Sequence, residues 1–374
     1  MLIITIVILL LYLLLIGSFT FGFDKVKTIP LEDLKAEIEF SIVIPFRNEV
    51  NFLPGLLDSI LELNYDKHKF EILFIDDHSE DNSVELIRRK LNKTQIDFRV
   101  LTNENPSASP KKEAITKAIS HSKYEWIVTT DADCKLPKYW LDGFDCFIQK
   151  NDTKFIVAPV TYHNSTSFLK RFQLLDFLSL QGVSIGAFGI GKPILCNGAN
   201  LAYTKALFYD LKGFDGNSTI SSGDDIFMLQ KAIPKYSEYI HYLKSESIIV
   251  RTVPQQNFKS LVSQRVRWAA KTSSYNSLFG KLTGMIVFLM NGFLVCSPLL
   301  VLANFISLKT LGYVFIIKLC IDFLLLFKTA RFFNQESYLA SFIFSSFMYP
   351  FFSVYVVFIS VFKGYKWKDR AYNK

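Results

Sequence analysis

The chain has 374 residues, and half of them are hydrophobic, including 36 Phe. That length suits one sizeable domain plus several membrane segments, and the apolar excess, gathered at both ends, argues against a wholly soluble protein. The net charge of +8 comes with no aromatic-and-basic recognition module, which argues against nucleic acid as a partner.

Residues 1–23 carry no charged side chain, and residues 2–16 are almost entirely Leu, Ile and Val. About 20 apolar residues span the hydrocarbon core, so this stretch predicts a transmembrane anchor. A cleaved signal peptide would need a basic start and a small-residue cleavage site, and Gly17-Ser18-Phe19 is a poor one.

From residue 38 to 275 the pattern changes to that of a folded domain. Strands are predicted at residues 40–45, 70–76, 97–102 and 126–130, with helices at 49–64, 83–92 and 111–120. This alternation predicts an α/β fold with a mostly parallel, Rossmann-like sheet covered by helices. Residues 106–110 read as a short loop. Such folds bind ligands at the carboxyl ends of the strands, which directs attention to residues 46–49, 76–79 and 131–133.

Asp131-Ala132-Asp133 places two carboxylates one residue apart at a strand end, where they could meet Mg²⁺ or Mn²⁺ and, through it, a diphosphate. Asp76-Asp77-His78-Ser79 could bind a nucleoside or simply close the strand with an Asx turn. Gly223-Asp224-Asp225 precedes a helical stretch at 226–232. Its carboxylates could cap the helix, or one of them could act as a general base. Gln264-Arg265-Val266-Arg267-Trp268 could grip pyrophosphate and face a sugar ring, or anchor a basic helix at the lipid interface.

The segment holding that last motif carries Arg251, Lys259, Arg265, Arg267, Lys271 and Lys281 and no acidic residue. It places the central domain on the cytoplasmic side of a cell (inner) membrane, crossed in several passes. Hydrophobic segments follow over residues 282–363, at 282–308, 310–327 and 338–362, before a basic tail at 364–374. Lys318 and Asp322 interrupt the middle one, four residues apart, where they can pair. Three full crossings would put the basic tail outside, so the middle segment and the last, interrupted by Pro350, are candidates for irregular insertion. The five cysteines, Cys134, Cys146, Cys196, Cys296 and Cys320, form no Cys-x-x-Cys pair, which argues against a disulfide framework or a zinc site.

Taken in order, Ile44-Pro45-Phe46-Arg47-Asn48-Glu49, Asp76-Asp77-His78-Ser79, Asp131-Ala132-Asp133, Gly223-Asp224-Asp225 and Gln264-Arg265-Val266-Arg267-Trp268 resemble the inverting family 2 glycosyltransferases of GT-A fold. The similarity is greatest to the membrane-integrated branch with the cellulose, hyaluronan and poly-N-acetylglucosamine synthases and ceramide glucosyltransferase. The resemblance implies sugar transfer from a nucleotide-sugar donor, UDP-linked, to a lipid or saccharide acceptor, forming a β-linkage. It implies nucleotide contacts at Phe46, Glu49, Asp76 and Asp77, and a diphosphate contact at Lys111. It implies a metal, Mg or Mn, on Asp131 and Asp133, with Asp131 also touching the donor. Asp225 is implied as general base with Asp224 beside it. Cys196-Asn197-Gly198-Ala199-Asn200 is implied as an acceptor-side loop. Gln264, Arg267 and Trp268 are implied to hold pyrophosphate and frame the acceptor. A processive β-polysaccharide synthase, a catalytically silent nucleotide-binding membrane scaffold and a nucleotidyltransferase are the competing readings.

Overall fold

The computed structural model describes residues 1–104, 109–163, 165–218, 220–271, 276–362, 365–367 and 370–372; the expected loop at 106–110 and the basic tail lie partly outside them. After helix α1 (Leu2–Lys25) come β1 (Phe40–Phe46), α2 (Leu53–Leu61), β2 (Phe70–Asp76), α3 (Ser83–Leu91), β3 (Asp97–Thr102), α4 (Pro110–His121) and β4 (Trp126–Thr129). The chain continues through α5 (Trp140–Lys150), β5 (Phe155–Val157), β6 (Val160–Tyr162), α6 (Phe168–Gly189), β7 (Leu201–Thr204), α7 (Lys205–Asp210) and α8 (Asp224–Tyr236). It ends with β8 (Ile240–Tyr242), β9 (Val250–Thr252), α9 (Phe258–Ala270), α10 (Leu278–Leu302), α11 (Leu308–Phe332), α12 (Phe342–Phe362) and a hairpin of β10 (Tyr365–Trp367) and β11 (Arg370–Tyr372).

Two compact units account for these elements. In the unit formed by residues 27–163 and 196–253, seven strands run in the order β3-β2-β1-β4-β7-β5-β8. Only β7 runs antiparallel to its neighbours, β4 and β5. β2 is buried along its whole length and β1 nearly so, as expected of strands with helices on both faces, and this is why they read as continuous apolar runs. β2 and β3 coincide with their predicted ranges. α2 is shorter than its predicted 49–64, because Asn48 takes a left-handed φ of 52° and Glu49 O accepts the N–H groups of Phe52 and Leu53 in a turn before the helix. At the other end, Asn64 N donates to Lys138 O and leaves the helix.

The second unit comprises residues 1–26, 164–195 and 254–374. Four of its helices are long and apolar enough to cross a membrane: Leu2–Lys25, Leu278–Leu302, Leu308–Phe332 and Glu336–Phe362. Their exposed faces carry Leu10, Leu14, Leu299, Phe344 and Phe358, a surface suited to lipid rather than water. Neither candidate for irregular insertion is broken: α11 runs through Lys318 and Asp322, and α12 runs through Pro350. Lys318 Nζ donates to Asp322 Oδ2 at 2.6 Å, and Tyr12 Oη from α1 donates to Asp322 Oδ1 at 2.6 Å, so the predicted pair gains a third member.

Helices α6 and α9 lie within the 38–275 stretch expected as one domain, yet they belong to this helical unit. Phe172 of α6, Leu261 and Val266 of α9 and Phe352 and Val356 of α12 form one buried cluster. Helix α6 had no counterpart in the sequence reading, since its polar residues are scattered around the helix and it shows no clear period. It packs on α1 backbone to backbone: a Cβ on Gly186 would lie 2.3 Å from Phe19 O, and one on Gly189 1.8 Å from Gly22 O. Only glycine permits that approach.

Candidate active site

The carboxyl ends of β1 and β2 open into two loops that are stitched together. Asn48 and His78 have φ of 52° and 57°, in the left-handed region that Asn and His enter more readily than other non-glycine residues, and the loops around them are tied by hydrogen bonds. Asn48 N donates to Ser79 Oγ at 3.0 Å, Asn48 Oδ1 accepts Glu80 N at 2.8 Å, and Arg47 Nη1 donates to Asp77 O at 2.9 Å. Asp81 accepts Val50 N and Ser83 N. Burial would raise its carboxyl pKa, but these hydrogen bonds and that of the Ser83 hydroxyl hold it below the ordinary value.

Asp76 and Asp77 are both buried at this strand end. Asp76 Oδ1 accepts Ser79 N at 3.0 Å, so the Asx turn is present, and Asp77 Oδ1 accepts Asn103 Nδ2 at 3.3 Å. Asn103 also donates to Asp76 O and Pro110 O, tying the ends of β2 and β3 to the start of α4. The Phe46 ring packs edge-on against Phe74 in the core, and what it presents toward β2 is its carbonyl, which accepts Asp77 N. Glu49 is buried, with its N–H donating to Ser83 Oγ at 3.0 Å.

At the end of β4 the remaining groups converge. Lys111 and Lys112 occupy the first turn of α4, where the helix dipole disfavours cations, so tertiary partners must hold them. Lys111 Nζ lies 2.7 Å from Asp131 Oδ1 and 3.4 Å from Asp224 Oδ2. Burial would lower the pKa of its ammonium, but Asp131 and Asp224, with Asp225 behind them, hold it well above the ordinary lysine range. Lys112, 2% exposed, donates to Asn217 O and Ile220 O and so fixes the loop leading to Gly223.

Gly198 is the centre of this arrangement. Its N–H donates to Asp225 Oδ2 at 3.1 Å and its carbonyl accepts Thr129 Oγ1 at 2.7 Å. A Cβ there would stand 3.0 Å from Asp224 Oδ2 and 3.6 Å from Lys111 Nζ. Asp224 is buried against Lys111, whereas Asp225, one residue on, is only half-buried. Asn200, from the same predicted loop, is a structural residue: its Nδ2 donates to Pro159 O and Ile248 O, and its Oδ1 accepts Trp140 Nε1.

Asp131 and Asp133 are partly exposed, while Cys134 beside them is buried. Burial, then the two carboxylates, pushes the Cys134 thiol up, and the thiol donates to Asp133 Oδ1. Among the described residues no three His, Cys, Asp or Glu side chains form a metal cage. Two partly exposed hard-oxygen ligands, one already balanced by an ammonium, fit an ion that completes its shell with diphosphate and water.

The Gln264–Trp268 segment lies on α9 in the helical unit. Gln264, Arg267 and Trp268 are partly exposed, while Arg265 is buried and donates to Asp176 Oδ2 at 2.6 Å. Within the sheet unit the structure therefore brings Lys111, Asp131, Asp224 and Asp225 together, with Asp76 and Asp77 at the end of β2, separated from β4 by β1. Asn103, Lys112 and Thr129 were missed from sequence, and Arg265 was named only within its motif, without its partner Asp176. The strand-end rule applied to β3 would have reached Asn103, and a second lysine placed against a helix dipole would have marked Lys112.

The profile of Glycosyl transferase family 2 matches residues 41–208, and that of Glycosyl transferase family group 2 matches residues 126–362, well over half the chain. The chain belongs to this glycosyltransferase family. Poly-beta-1,6-N-acetyl-D-glucosamine synthase of Staphylococcus aureus is 26% identical over 168 residues, 43% of this chain and 37% of that one. Poly(ribitol-phosphate) beta-N-acetylglucosaminyltransferase TarS of Staphylococcus aureus is 24% identical over 124 residues, 33% of this chain and 21% of that one. The chain thus spans well under half the length of these curated relatives. Among solved structures, the mannosyltransferase PcManGT from Pyrobaculum calidifontis, in complex with GDP-Man and Mn²⁺, has a TM-score of 0.56 at 14% identity, covering 96% of this chain and 99% of that one. This is a likeness of fold: the mostly parallel GT-A sheet that the motif order implied.

Proposed function

We propose that the chain is a membrane-bound, metal-dependent, inverting glycosyltransferase that moves a sugar from a UDP-linked donor to a lipid or saccharide acceptor, forming a β-linkage. The observation that carries this reading is Lys111 bridging Asp131 and Asp224, with Asp225 held alongside by Gly198 N. Metal-binding carboxylates, a diphosphate-seeking cation and a base are thereby gathered at one strand end. Two relatives whose names describe β-linked N-acetylglucosamine products support the β-linkage.

On this reading Asp76 and Asp77 receive the nucleoside. Asp131 and Asp133 would hold Mg²⁺ or Mn²⁺, which when bound offsets charge on the leaving diphosphate. Lys111 contributes a fixed positive charge to the same oxygens. Asp225, the more accessible of the adjacent carboxylates, takes the proton of the acceptor hydroxyl as it attacks the anomeric carbon. Asp224 holds Lys111 in place. A single displacement inverts configuration, with no covalent enzyme intermediate. Gln264, Arg267 and Trp268 contact pyrophosphate and acceptor. The basic run before α10 supports a cytoplasmic site on a multi-pass cell-membrane protein, where nucleotide sugars are made.

The test is a panel of nucleotide sugars offered to detergent-purified protein, with mass spectrometry of the released nucleotide and of the product. Release of UDP with a β-linked product supports the reading; no turnover with any donor, in the presence of metal and varied acceptors, counts against it. Counting sugars per acceptor separates single transfer from processive synthesis.

A further inference from the structure

We propose that Arg265, held by Asp176, is the positioning residue that sets the geometry of Gln264 and Trp268. The proposal rests on the reading of Gln264, Arg267 and Trp268 as ligand-contacting groups. Arg265 and Asp176 side chains are each only 6% exposed, and Arg265 Nε donates to Asp176 Oδ2 at 2.6 Å. A buried ion pair is weak evidence for stability, since well-packed apolar residues of similar volume commonly do as well. Its presence calls for another explanation, and the remaining surfaces of the guanidinium supply one.

Arg265 Nη1 donates to Gln264 Oε1 at 2.5 Å, and the guanidinium carbon lies 4.3 Å from the centre of the Trp268 ring. One planar group therefore uses an edge on Asp176, another edge on Gln264 and a face on Trp268. A lysine ammonium has no such combination of edge and face. With its oxygen turned to Arg265, Gln264 directs both amide hydrogens elsewhere, so it faces a ligand as a donor, as phosphate and hydroxyl oxygens require. Trp268 is further limited by Phe177, the neighbour of Asp176 on α6, at 6.2 Å and a tilt of 41°. On α9, Trp268 stands three and four residues beyond Arg265 and Gln264, the spacings at which helical side chains meet. Helix α6 thus sets the motif through one arginine.

The experiment measures sugar-transfer kinetics of the full chain in detergent for Asp176→Asn, Asp176→Glu, Arg265→Lys, Gln264→Ala, Trp268→Ala and the Gln264→Ala, Trp268→Ala double variant, and for Asp176→Asn added to that double variant. Asp176→Asn and Arg265→Lys are expected to lower kcat/KM about tenfold, with Asp176→Glu restoring most of it. On the Gln264→Ala, Trp268→Ala background, Asp176→Asn should add less than about twofold, because its effect runs through residues already removed. The emission of Trp268, isolated as a difference from Trp268→Phe, should shift in Asp176→Asn. Full additivity of the losses, or wild-type kinetics for Asp176→Asn while Gln264→Ala is impaired, overturns the positioning role. If Gln264→Ala and Trp268→Ala are themselves silent, the ligand reading of the motif fails instead, and an unshifted Trp268 emission then overturns positioning separately. Should Asp176→Asn not purify as a folded protein, Arg265→Lys, which keeps the buried charges but loses the fork, carries the same comparison.

Discussion

Lys111 Nζ stands between Asp131 Oδ1 and Asp224 Oδ2, at 2.7 and 3.4 Å, so one ammonium joins the end of β4 to the start of α8. Its removal exposes two carboxylates to each other and, on the proposed reading, deprives a diphosphate of its fixed counter-charge. Lys111→Met is expected to raise the donor KM about tenfold or more, with Lys111→Arg in between. The ammonium pKa is raised, so its contribution is complete below the ordinary lysine value of about 10.4 and is lost only as pH climbs through the higher folded value. Nucleotide affinity of the metal-free protein should accordingly show no Lys111-dependent change between about pH 6 and 9. A step in that window that vanishes in Lys111→Met would show that this charge assignment is wrong.

Chelation should abolish transfer, and Mn²⁺ or Mg²⁺ should restore it. The double variant Asp131→Asn, Asp133→Asn should lose transfer by about 10²-fold or more and also lose measurable Mn²⁺ binding in a direct titration. Full activity in that variant removes the pair as a metal site.

Asp225→Asn keeps the side-chain shape and the contact with Gly198 N but accepts no proton. A fall in kcat of about 10²-fold with nucleotide affinity retained is expected. Asp224→Asn should act differently, by loosening Lys111 and raising donor KM. If instead Asp224→Asn abolishes kcat and Asp225→Asn leaves it intact, the roles of the two carboxylates are exchanged.

Gly198→Ala tests the crowding at the centre of the site. Its methyl would sit 3.0 Å from Asp224 Oδ2, tighter than ordinary contact, so the Lys111–Asp224 link must shift. The expected outcome is a loss of transfer of about tenfold with little change in thermal stability, read by activity and unfolding on one preparation. Wild-type transfer means that the loop at 196–200 has room to spare.

Arg267→Lys keeps charge for lipid headgroups but loses the bidentate fork, and Trp268→Phe keeps an apolar ring but loses the indole N–H and part of its face. Reduced transfer by Arg267→Lys, and weakened acceptor use by Trp268→Phe with donor affinity little changed, are expected in matched preparations. Wild-type behaviour of both would return α9 to the role of a basic membrane-surface helix.

The central sheet was legible because β1 and β2 are buried apolar runs punctuated by polar loops, and β2 and β3 match their predicted bounds residue for residue. The acidic clusters were legible because carboxylates at strand ends and helix starts are local features. What was hidden depends on distant segments. The helix dipole marks Lys112 as a cation in need of partners, but not that these are the carbonyls of Asn217 and Ile220, more than a hundred residues away. Asp176 sits in a stretch without period, and its meaning appears only when Arg265 arrives from α9. Helix α6 escaped notice for the same reason: glycines such as Gly186 signal close packing only once the partner backbone is known.

That partner is the stretch from Phe19 to Gly22 of α1, and it alters what the first helix is. A generic membrane tether is interchangeable, since any apolar stretch of the right length will hold a domain at a bilayer. Here a Cβ at position 22 would fall 2.1 Å from Gly186 O, so a substitute helix chosen for hydrophobicity alone would not seat against α6. Residues 1–25 are a fitted component of the protein, and swapping them for a foreign anchor would leave α6, which carries Asp176, without the surface it is shaped to meet.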